Sequence, residues 1–533
     1  MRKSTALVLK GFILSTFCAA LDSTVSLKTG LIVGNPRDSN GILSFKGIPF
    51  SQPPTGELRW RSPKPALPWN DTLNATQFGF TCWNGLQEMV TATAQSEDCL
   101  TANVWTGAHN ANESLPVMVW VYGGGFVFGQ SGDPSYNGAN LAQKDVVFVS
   151  FNYRLDAFGF LAHPELDEEG HPSGNFGLQD ILAVLTWVQE NIASFGGDPS
   201  QVTVLGESAG AHAIGLLMSS PLSKSLFHRA ILESGSWWDN EHGSLMTFDL
   251  ARQNGTAFGL RLNATSAADL RSLPAEVINS TTIWSFETDP SITAFTPSVD
   301  NYVLPAIPAE VFELGLQMKI PIMAGWNTFE GFPFLARAIP HSTALEYRTD
   351  AAAFFGHRTG EFLEYYPGST EAEANTSALA LIGDLAIGEQ TWEIVDTQSR
   401  SGAGDVYLYH FTYTSPYMPM AVHGSDIPFV FGNLIPTFAN PNASPADEND
   451  RLFSKAVMAY WTNFAKNGNP NGRAGSDLPR WPEYGSEEQD VMGLGTQVAP
   501  IIVDFSRFHF VKSLRVNGIL PAAWRNINVL GLA

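Results

Sequence analysis

A serine framed by two glycines, placed between an apolar run and a small-residue helix, restricts the fold more than any other feature of the sequence. The pentapeptide 206–210 reads Gly-Glu-Ser-Ala-Gly; it follows the apolar run 202–205 and precedes a helical stretch over 209–219. In a strand–turn–helix motif of this kind the backbone of the serine is strained. Small residues on either side of it allow the neighbouring strands to approach closely. The turn then lifts the hydroxyl of Ser208 clear of the sheet. The pattern predicts a nucleophilic serine.

A run of three glycines directly after another apolar strand, 117–122, predicts an anion site. Gly123, Gly124 and Gly125 let the backbone turn its amides towards one point, as the stabilisation of a developing oxyanion requires. The alternative for the glycines alone is a flexible hairpin turn. Because a nucleophilic serine lies downstream, we expect the amides of Gly124, Gly125 and Ala209, the residue after the serine, to bind the oxyanion.

Continuous apolar runs alternate with helical patterns through much of the chain. A helix is predicted over 176–192 and β-strands over 26–33, 42–50, 100–105, 117–122, 146–154, 202–205, 230–234, 319–325 and 405–413. This alternation is typical of an α/β protein with a large, mostly parallel central sheet. In such sheets the active site lies outside the carboxyl ends of the strands.

The same rule selects the partners of the serine. Glu330 lies in the loop after the predicted strand 319–325, and His423 lies in a glycine-containing loop after the strand 405–413. Folds with this serine turn order their triad serine, acid, histidine, so only a histidine after Glu330 qualifies. His423 is the only one of these in such a loop; the chain has eleven histidines, and those after the acid are His341, His357, His410, His423 and His509.

Two other acids near the predicted triad have open roles. Asp426 rivals Glu330 as the triad acid, but it is too close to His423 in sequence for a separate strand to deliver it. Glu207, beside the nucleophile, either tunes the site electrostatically or takes part in a structural ion pair or water network.

Length and charge limit the broad class. The 533 residues show no linker, repeat or low-complexity run, and the net charge of -22 argues against nucleic acid and anionic membranes as partners. Residues 1–20 have a basic start, a short apolar stretch and small residues at the end, which predicts a signal peptide rather than a bilayer-spanning anchor. We therefore expect a secreted single domain over 21–533, without a stable membrane anchor.

Cysteines and glycosylation motifs agree with secretion. Removal of the signal peptide leaves Cys82 and Cys99, which we expect to form a disulfide across sixteen intervening residues. Asparagine glycosylation motifs, of which several are expected by chance, occur at Asn70, Asn74, Asn112, Asn254, Asn263, Asn279, Asn375 and Asn442.

Together these motifs resemble the type-B carboxylesterase/lipase family, which includes cholinesterases and secreted fungal lipases, over essentially the whole mature length. The matching segments, besides the serine turn, are 45–49, 53–60, 96–100, 122–126, 152–154, 195–199, 330–331, 423–424 and 467–470. The resemblance implies an α/β-hydrolase fold with helical insertions, a Ser208/Glu330/His423 triad, and a Cys82–Cys99 disulfide carrying a loop over the active-site gorge. It also implies two architectural ion pairs, Arg59 with Glu97 and Arg154 with Asp180.

Departures from the family pattern bear on the substrate. The loop between the cysteines is shorter than the long lid of the fungal lipases, and a short lid cannot cover a wide acyl groove. Aromatic side chains either line and narrow the acyl pocket or belong to the core; they are Trp237, Trp238, Trp326 and Phe329. These features favour a serine esterase for short-chain or bulky-alcohol esters of small molecules.

Other functions stay open from the sequence alone. A triacylglycerol lipase is the nearest alternative, followed by an acyl transferase or cyclase of small-molecule biosynthesis. A non-catalytic recognition protein is disfavoured because the serine, the acid and the histidine are all present. No cofactor or metal is expected, since acyl transfer on a serine needs neither and the histidines lack metal-ligand spacing.

Overall fold

A ten-stranded sheet forms the centre of the described part of the chain. The computed structural model describes residues 20–84, 93–167, 172–236, 245–281, 295–331, 343–437, 440–472, 477–485 and 488–516. In chain order the strands are β1 Leu43–Pro49, β2 Thr101–Thr106, β3 Leu115–Val121, β4 Val147–Phe151, β5 Gly197–Glu207, β6 Arg229–Glu233, β7 Ile322–Asn327, β8 Val406–Phe411, β9 Val491–Leu494 and β10 Val498–Ile501. Across the sheet they lie in the order β10-β9-β8-β7-β6-β5-β3-β4-β2-β1.

The sheet is parallel in its middle and antiparallel towards its edges. Strands β9, β8, β7, β6, β5, β3 and β4 run in one direction, whereas β2 and β10 run antiparallel to their neighbours. The middle strands are buried on both faces, as β4 shows along its whole length, which is why they read as continuous apolar runs. The predicted α/β fold with a large, mostly parallel sheet is confirmed.

Helices pack on this sheet and extend beyond it. The α-helices of ten or more residues in the described segments are α1 Phe176–Asn191, α2 Ala209–Met218, α3 Phe248–Arg261, α4 Ala344–Phe355, α5 Glu371–Gly383, α6 Glu389–Arg400, α7 Glu448–Asn467 and α8 Ser506–Val516. Shorter ones cover Ala139–Ala142, Asp156–Phe160, Pro164–Asp167, Ala267–Ser272, Ala275–Thr281, Pro308–Glu313, Thr359–Tyr365 and Ile427–Phe431. Helices α1, α2 and α7 contact β5, and α6 contacts β7 and β8. None of the described helices is long and apolar enough to cross a bilayer.

The predicted first strand, 26–33, is instead a hairpin. Strands Thr24–Leu27 and Gly30–Val33 pair antiparallel, and the second also pairs with the short strand Leu73–Asn74. The chain reverses at Lys28 and Thr29, and Gly30 then takes a φ of 146° against the ring of Trp69. A side chain at Gly30 is excluded by both its backbone conformation and this contact. The glycine therefore marks a turn inside a run that looks like one strand.

Covalent and ionic cross-links hold the chain segments around the sheet. Cys82 and Cys99 form the expected disulfide. Arg59 binds Glu97 through two hydrogen bonds of 2.7 and 2.6 Å.

The second ion pair that the resemblance implied also forms. The Arg154 guanidinium donates to both carboxylate oxygens of Asp180, at 2.8 and 2.7 Å. Both side chains are buried, and a third hydrogen bond joins the backbone N–H of Arg154 to the same carboxylate. Burial raises the pKa of Asp180, and the bonds from Arg154 oppose that rise. The contacts tie the end of β4 to α1, which is an architectural role.

Candidate active site

Ser208 lies at a strained turn between β5 and α2. Its backbone has φ 54° and ψ −123°, a conformation that non-glycine residues rarely adopt. Its N–H donates to the carbonyl of Glu233 at the end of β6, at 2.9 Å. Because α2 begins at the next residue, Ala209, the serine stands at the carboxyl edge of the sheet. This is the geometry that the sequence predicted for a nucleophile.

The two glycines around the serine allow β3 to approach the turn. A β-carbon at Gly210 would lie 2.0 Å from the carbonyl oxygen of Val121, and one at Gly206 would lie 2.7 Å from the same atom. Either contact is far shorter than real side chains show, so any larger residue would push β3 away from β5. The pattern of the pentapeptide is thus explained by steric exclusion.

The acid and the histidine meet because their loops follow neighbouring strands. Glu330 follows β7 and His423 follows β8; the N–H of Phe329 donates to the carbonyl of Ala421 at 2.9 Å, which aligns the two loops. Glu330 Oε2 then lies 2.6 Å from His423 Nδ1. This contact fixes the ring so that Nε2 is the nitrogen left for proton transfer.

Two groups hold the second oxygen of Glu330. Ser234 Oγ donates to Glu330 Oε1 at 2.7 Å, and the backbone N–H of Asn327 also donates to this oxygen. The Asn327 side chain in turn donates to Ser234 Oγ at 2.9 Å. Sequence reasoning missed Ser234 and Asn327, although both lie at carboxyl ends of strands, where the rule used for Glu330 would have found them.

Glu207 gives His423 a second carboxylate neighbour. Its Oε1 lies 3.3 Å from His423 Nε2, and its side chain is buried. Burial alone would lower the pKa of His423, but the charges of Glu207 and Glu330 outweigh burial and raise it. Burial raises the pKa of Glu207. The Glu207 carboxylate and the His423 ring are therefore coupled, and the charge of each group affects the pKa of the other.

Asp426 has other hydrogen-bond partners and does not take the place of Glu330 on His423. It accepts a hydrogen bond from the Tyr409 hydroxyl at 2.8 Å, and the Asn327 side chain lies 3.4 Å away. Burial raises the pKa of Asp426 to about 6, and the charge of Glu330 adds to the rise. Among the acids that the sequence left as rivals, the structure thus places Glu330 on the histidine.

The glycine run after β3 begins against Ser208. A β-carbon at Gly123 would lie 2.9 Å from Ser208 Cβ and 2.6 Å from Glu207 Oε2. Gly124 and Gly125 follow with φ values of 101° and 61°, a left-handed run that suits glycine. Gly123 therefore lies directly against Ser208, and Gly124 and Gly125 are the next two residues of the run.

The predicted aromatic lining divides into three cases. Trp326 is 5% exposed; its ring stacks on His410 at 4.9 Å and contacts Phe508 at 5.5 Å. Those contacts match the core role that the sequence left open. Phe329 is half-buried in the loop that carries Glu330, where it pairs with Val422 of the histidine loop. Trp237 and Trp238 lie outside the described residues.

Comparisons with known proteins show the family of the chain. The model of the carboxylesterase family matches residues 21–507. A fumonisin B1 esterase of Sphingopyxis macrogoltabida is 38% identical over 465 residues, which cover 86% of this chain and 84% of that protein. A cholinesterase of Mus musculus is 35% identical, covering 93% and 88% of the two chains, and a para-nitrobenzyl esterase of Bacillus subtilis is 34% identical, covering 86% and 92%.

Solved structures give the same result. A PNB esterase superposes with a TM-score of 0.77 at 32% identity, covering 92% of this chain and 99% of that one. A thermophilic PNB esterase gives a TM-score of 0.78 at 30% identity, covering 92% and 100%. With its α/β-hydrolase fold, the chain belongs to the carboxylesterase family and is a carboxylic ester hydrolase.

Proposed function

We propose that this esterase works through an acyl-enzyme on Ser208. His423 takes the proton from the serine hydroxyl as Oγ attacks the ester carbonyl, and then gives that proton to the leaving alcohol. Water repeats the cycle and releases the acid. Glu330 stabilises the imidazolium without accepting its proton. The proposal is carried by the 2.6 Å contact between Glu330 Oε2 and His423 Nδ1, together with the strained backbone of Ser208 at φ 54°.

The oxyanion of the tetrahedral intermediate is assigned to the amides of Gly124, Gly125 and Ala209. The first two belong to the glycine run that packs against Ser208, and the third opens α2. The positive end of that helix dipole favours negative charge at the same point.

The proposed substrates are small-molecule esters with a short acyl chain or a bulky alcohol. The sequence supports this through the short loop between Cys82 and Cys99, which offers little cover for a wide acyl groove. Two relatives are named for activity on small molecules, the fumonisin B1 esterase and the para-nitrobenzyl esterase.

Secretion is part of the proposal. It rests on the signal-like residues 1–20, on the Cys82–Cys99 disulfide, and on the surface position of most glycosylation motifs. The side chains of Asn254 and Asn279 are half-buried, whereas the exposed ones are Asn70, Asn74, Asn112, Asn263, Asn375 and Asn442.

One experiment tests the acyl-enzyme, the preference for short acyl chains and secretion. The full chain is expressed in a eukaryotic host, and protein from the medium is assayed with p-nitrophenyl esters from acetate to palmitate, beside Ser208→Ala. We expect kcat/KM to peak at short chains, to depend on Ser208, and to come from protein that begins near Leu21. A peak at long chains that rises above the ester's solubility limit would point to a lipase, and retention inside the cells would reject secretion. Absence of Ser208-dependent turnover would reject the acyl-enzyme.

The contact between Glu207 and His423 predicts a shift in the pH profile. Catalysis needs neutral His423, and the charge of Glu207 raises the pKa of that histidine. In Glu207→Gln this charge is gone, so the pKa of His423 falls and the neutral base persists to lower pH. We therefore expect the acid limb of kcat/KM to move to lower pH, by about one unit for a carboxylate at this range. Profiles of both proteins from pH 5 to 9 measure the shift; an unchanged limb, or one moved upwards, contradicts it.

A further inference from the structure

The three residues that follow β6 contact Glu330, Ser208 and His212. Ser234 donates to Glu330, as described above. At the next residue, Gly235, a β-carbon would lie 2.7 Å from the carbonyl oxygen of Ser208 and 3.4 Å from the ring of His212. This segment, 234–236, therefore touches both the acid and the nucleophile. A small displacement of it changes the space directly beside Ser208.

The ring of His212 holds the end of this segment. The backbone N–H of Ser236 donates to His212 Nδ1 at 3.3 Å, and both residues are buried. His212 lies one helical turn after the nucleophile, and its own N–H donates to the carbonyl of Ser208 at 2.9 Å. The Ser236 hydroxyl is buried without a hydrogen bond to any described residue. Its backbone N–H therefore provides a polar link between the segment and α2.

This contact also defines the state of the imidazole. An N–H that points at Nδ1 requires a lone pair there, so the ring is neutral and carries its proton on Nε2. A substitute must therefore present an acceptor at the same place. The carbonyl oxygen of asparagine lies about where Nδ1 of histidine lies, whereas leucine offers no acceptor.

We propose that His212 is a positioning residue that sets the acyl-chain preference by fixing segment 234–236 against Ser208. The inference rests on the proposed acyl-enzyme, in which the acyl group is bonded to Ser208 Oγ, on the same residue whose backbone carbonyl this segment contacts. While the Ser236 N–H is bonded to His212, segment 234–236 cannot move aside to admit a long acyl chain. Once the link is lost, the segment gives way to longer chains and no longer encloses an acetyl group closely.

The chain contains a matched control. His228 Nδ1 also accepts a backbone N–H, from Val202 at 3.2 Å. Val202 lies several residues before the serine turn on β5, so this histidine makes the same kind of bond away from the catalytic loops. Substitutions at His228 therefore report the loss of such a bond without a change beside Ser208.

The test compares His212→Leu, His212→Asn, His228→Leu and His228→Asn with wild type on p-nitrophenyl acetate, butyrate and hexanoate. For His212→Leu we expect the hexanoate-to-acetate ratio of kcat/KM to rise fivefold or more, mainly through a higher KM for acetate. His212→Asn should return the ratio to within twofold of wild type. Both His228 variants should keep the wild-type ratio, whatever their thermal stability.

An unchanged ratio in His212→Leu, or equal ratios in the leucine and asparagine variants, overturns the proposal. If His212→Leu does not fold, His212→Ala replaces it, since alanine is the best helix former and also lacks an acceptor. Loss of Ser208-dependent turnover in the wild type would instead reject the acyl-enzyme itself. The two failures are therefore distinguishable.

Discussion

Ser208→Ala is expected to lower kcat for p-nitrophenyl acetate by about 10⁶ while the protein stays folded. The variant has no nucleophile to take the acyl group, and His423 has no hydroxyl to activate. Only binding and oxyanion stabilisation then remain, which leave about 10³ to 10⁴ over the uncatalysed reaction. The substitution removes one oxygen from a residue that is 9% exposed and keeps the backbone hydrogen bond to Glu233. The thermal midpoint should therefore change little.

Steady-state rates and a burst assay measure this effect. Wild type should release close to one equivalent of p-nitrophenol in a first fast phase, and Ser208→Ala should release none. Circular dichroism and thermal unfolding serve as controls for folding. A folded variant that keeps more than about 1% of the wild-type rate would contradict Ser208 as nucleophile, because removal of such a group costs far more.

Arg154→Met is expected to destabilise the protein by about 3 to 5 kcal/mol. The substitution leaves the Asp180 carboxylate buried without its partner, and with it go two side-chain hydrogen bonds of 2.8 and 2.7 Å. An unpaired charge inside a protein costs far more than an exposed one. Urea unfolding measures the change, and inactivation half-life at a fixed temperature replaces it if unfolding is irreversible.

Two variants serve as controls. Lys28→Met breaks the exposed ion pair between Lys28 and Glu190, whose side chains are 62% and 48% exposed, and should change stability by less than about 1 kcal/mol. The double variant Arg154→Met, Asp180→Leu removes both buried charges and should be more stable than Arg154→Met alone. Equal losses for Arg154→Met and Lys28→Met would contradict the importance of burial.

The fold and the central contact of the site follow from local rules. Continuous apolar runs predicted the middle strands of the sheet, and the rule about carboxyl ends selected Glu330 and His423. The structure joins these two residues at 2.6 Å although 93 positions separate them. The prediction succeeded because neighbouring parallel strands deliver their exit loops to one edge, whatever the length of chain between them.

The remaining features depend on contacts that no local pattern records. Ser234 contacts Glu330 across 96 positions; its place at the carboxyl end of β6 could be predicted, but its contact with the acid depends on the order of β6 and β7 across the sheet. Trp326 borders the acid loop in sequence, yet its ring packs on His410, because alternate residues of β7 point to opposite faces of the sheet. The sequence did not reveal the turn before Gly30, because the residues on both sides of it favour strands.

The strand order has a consequence for when activity appears during folding. Ser208, Glu330 and His423 follow β5, β7 and β8; β7 pairs directly with β8, whereas β5 is joined to β7 only through β6. The pairing of β6 with β7 closes a loop of nearly ninety residues between Glu233 and Ile322. Closing so long a loop is slow relative to local helix formation. We therefore expect a newly made chain to gain its hydrolytic activity late, only after β5, β6, β7 and β8 have paired.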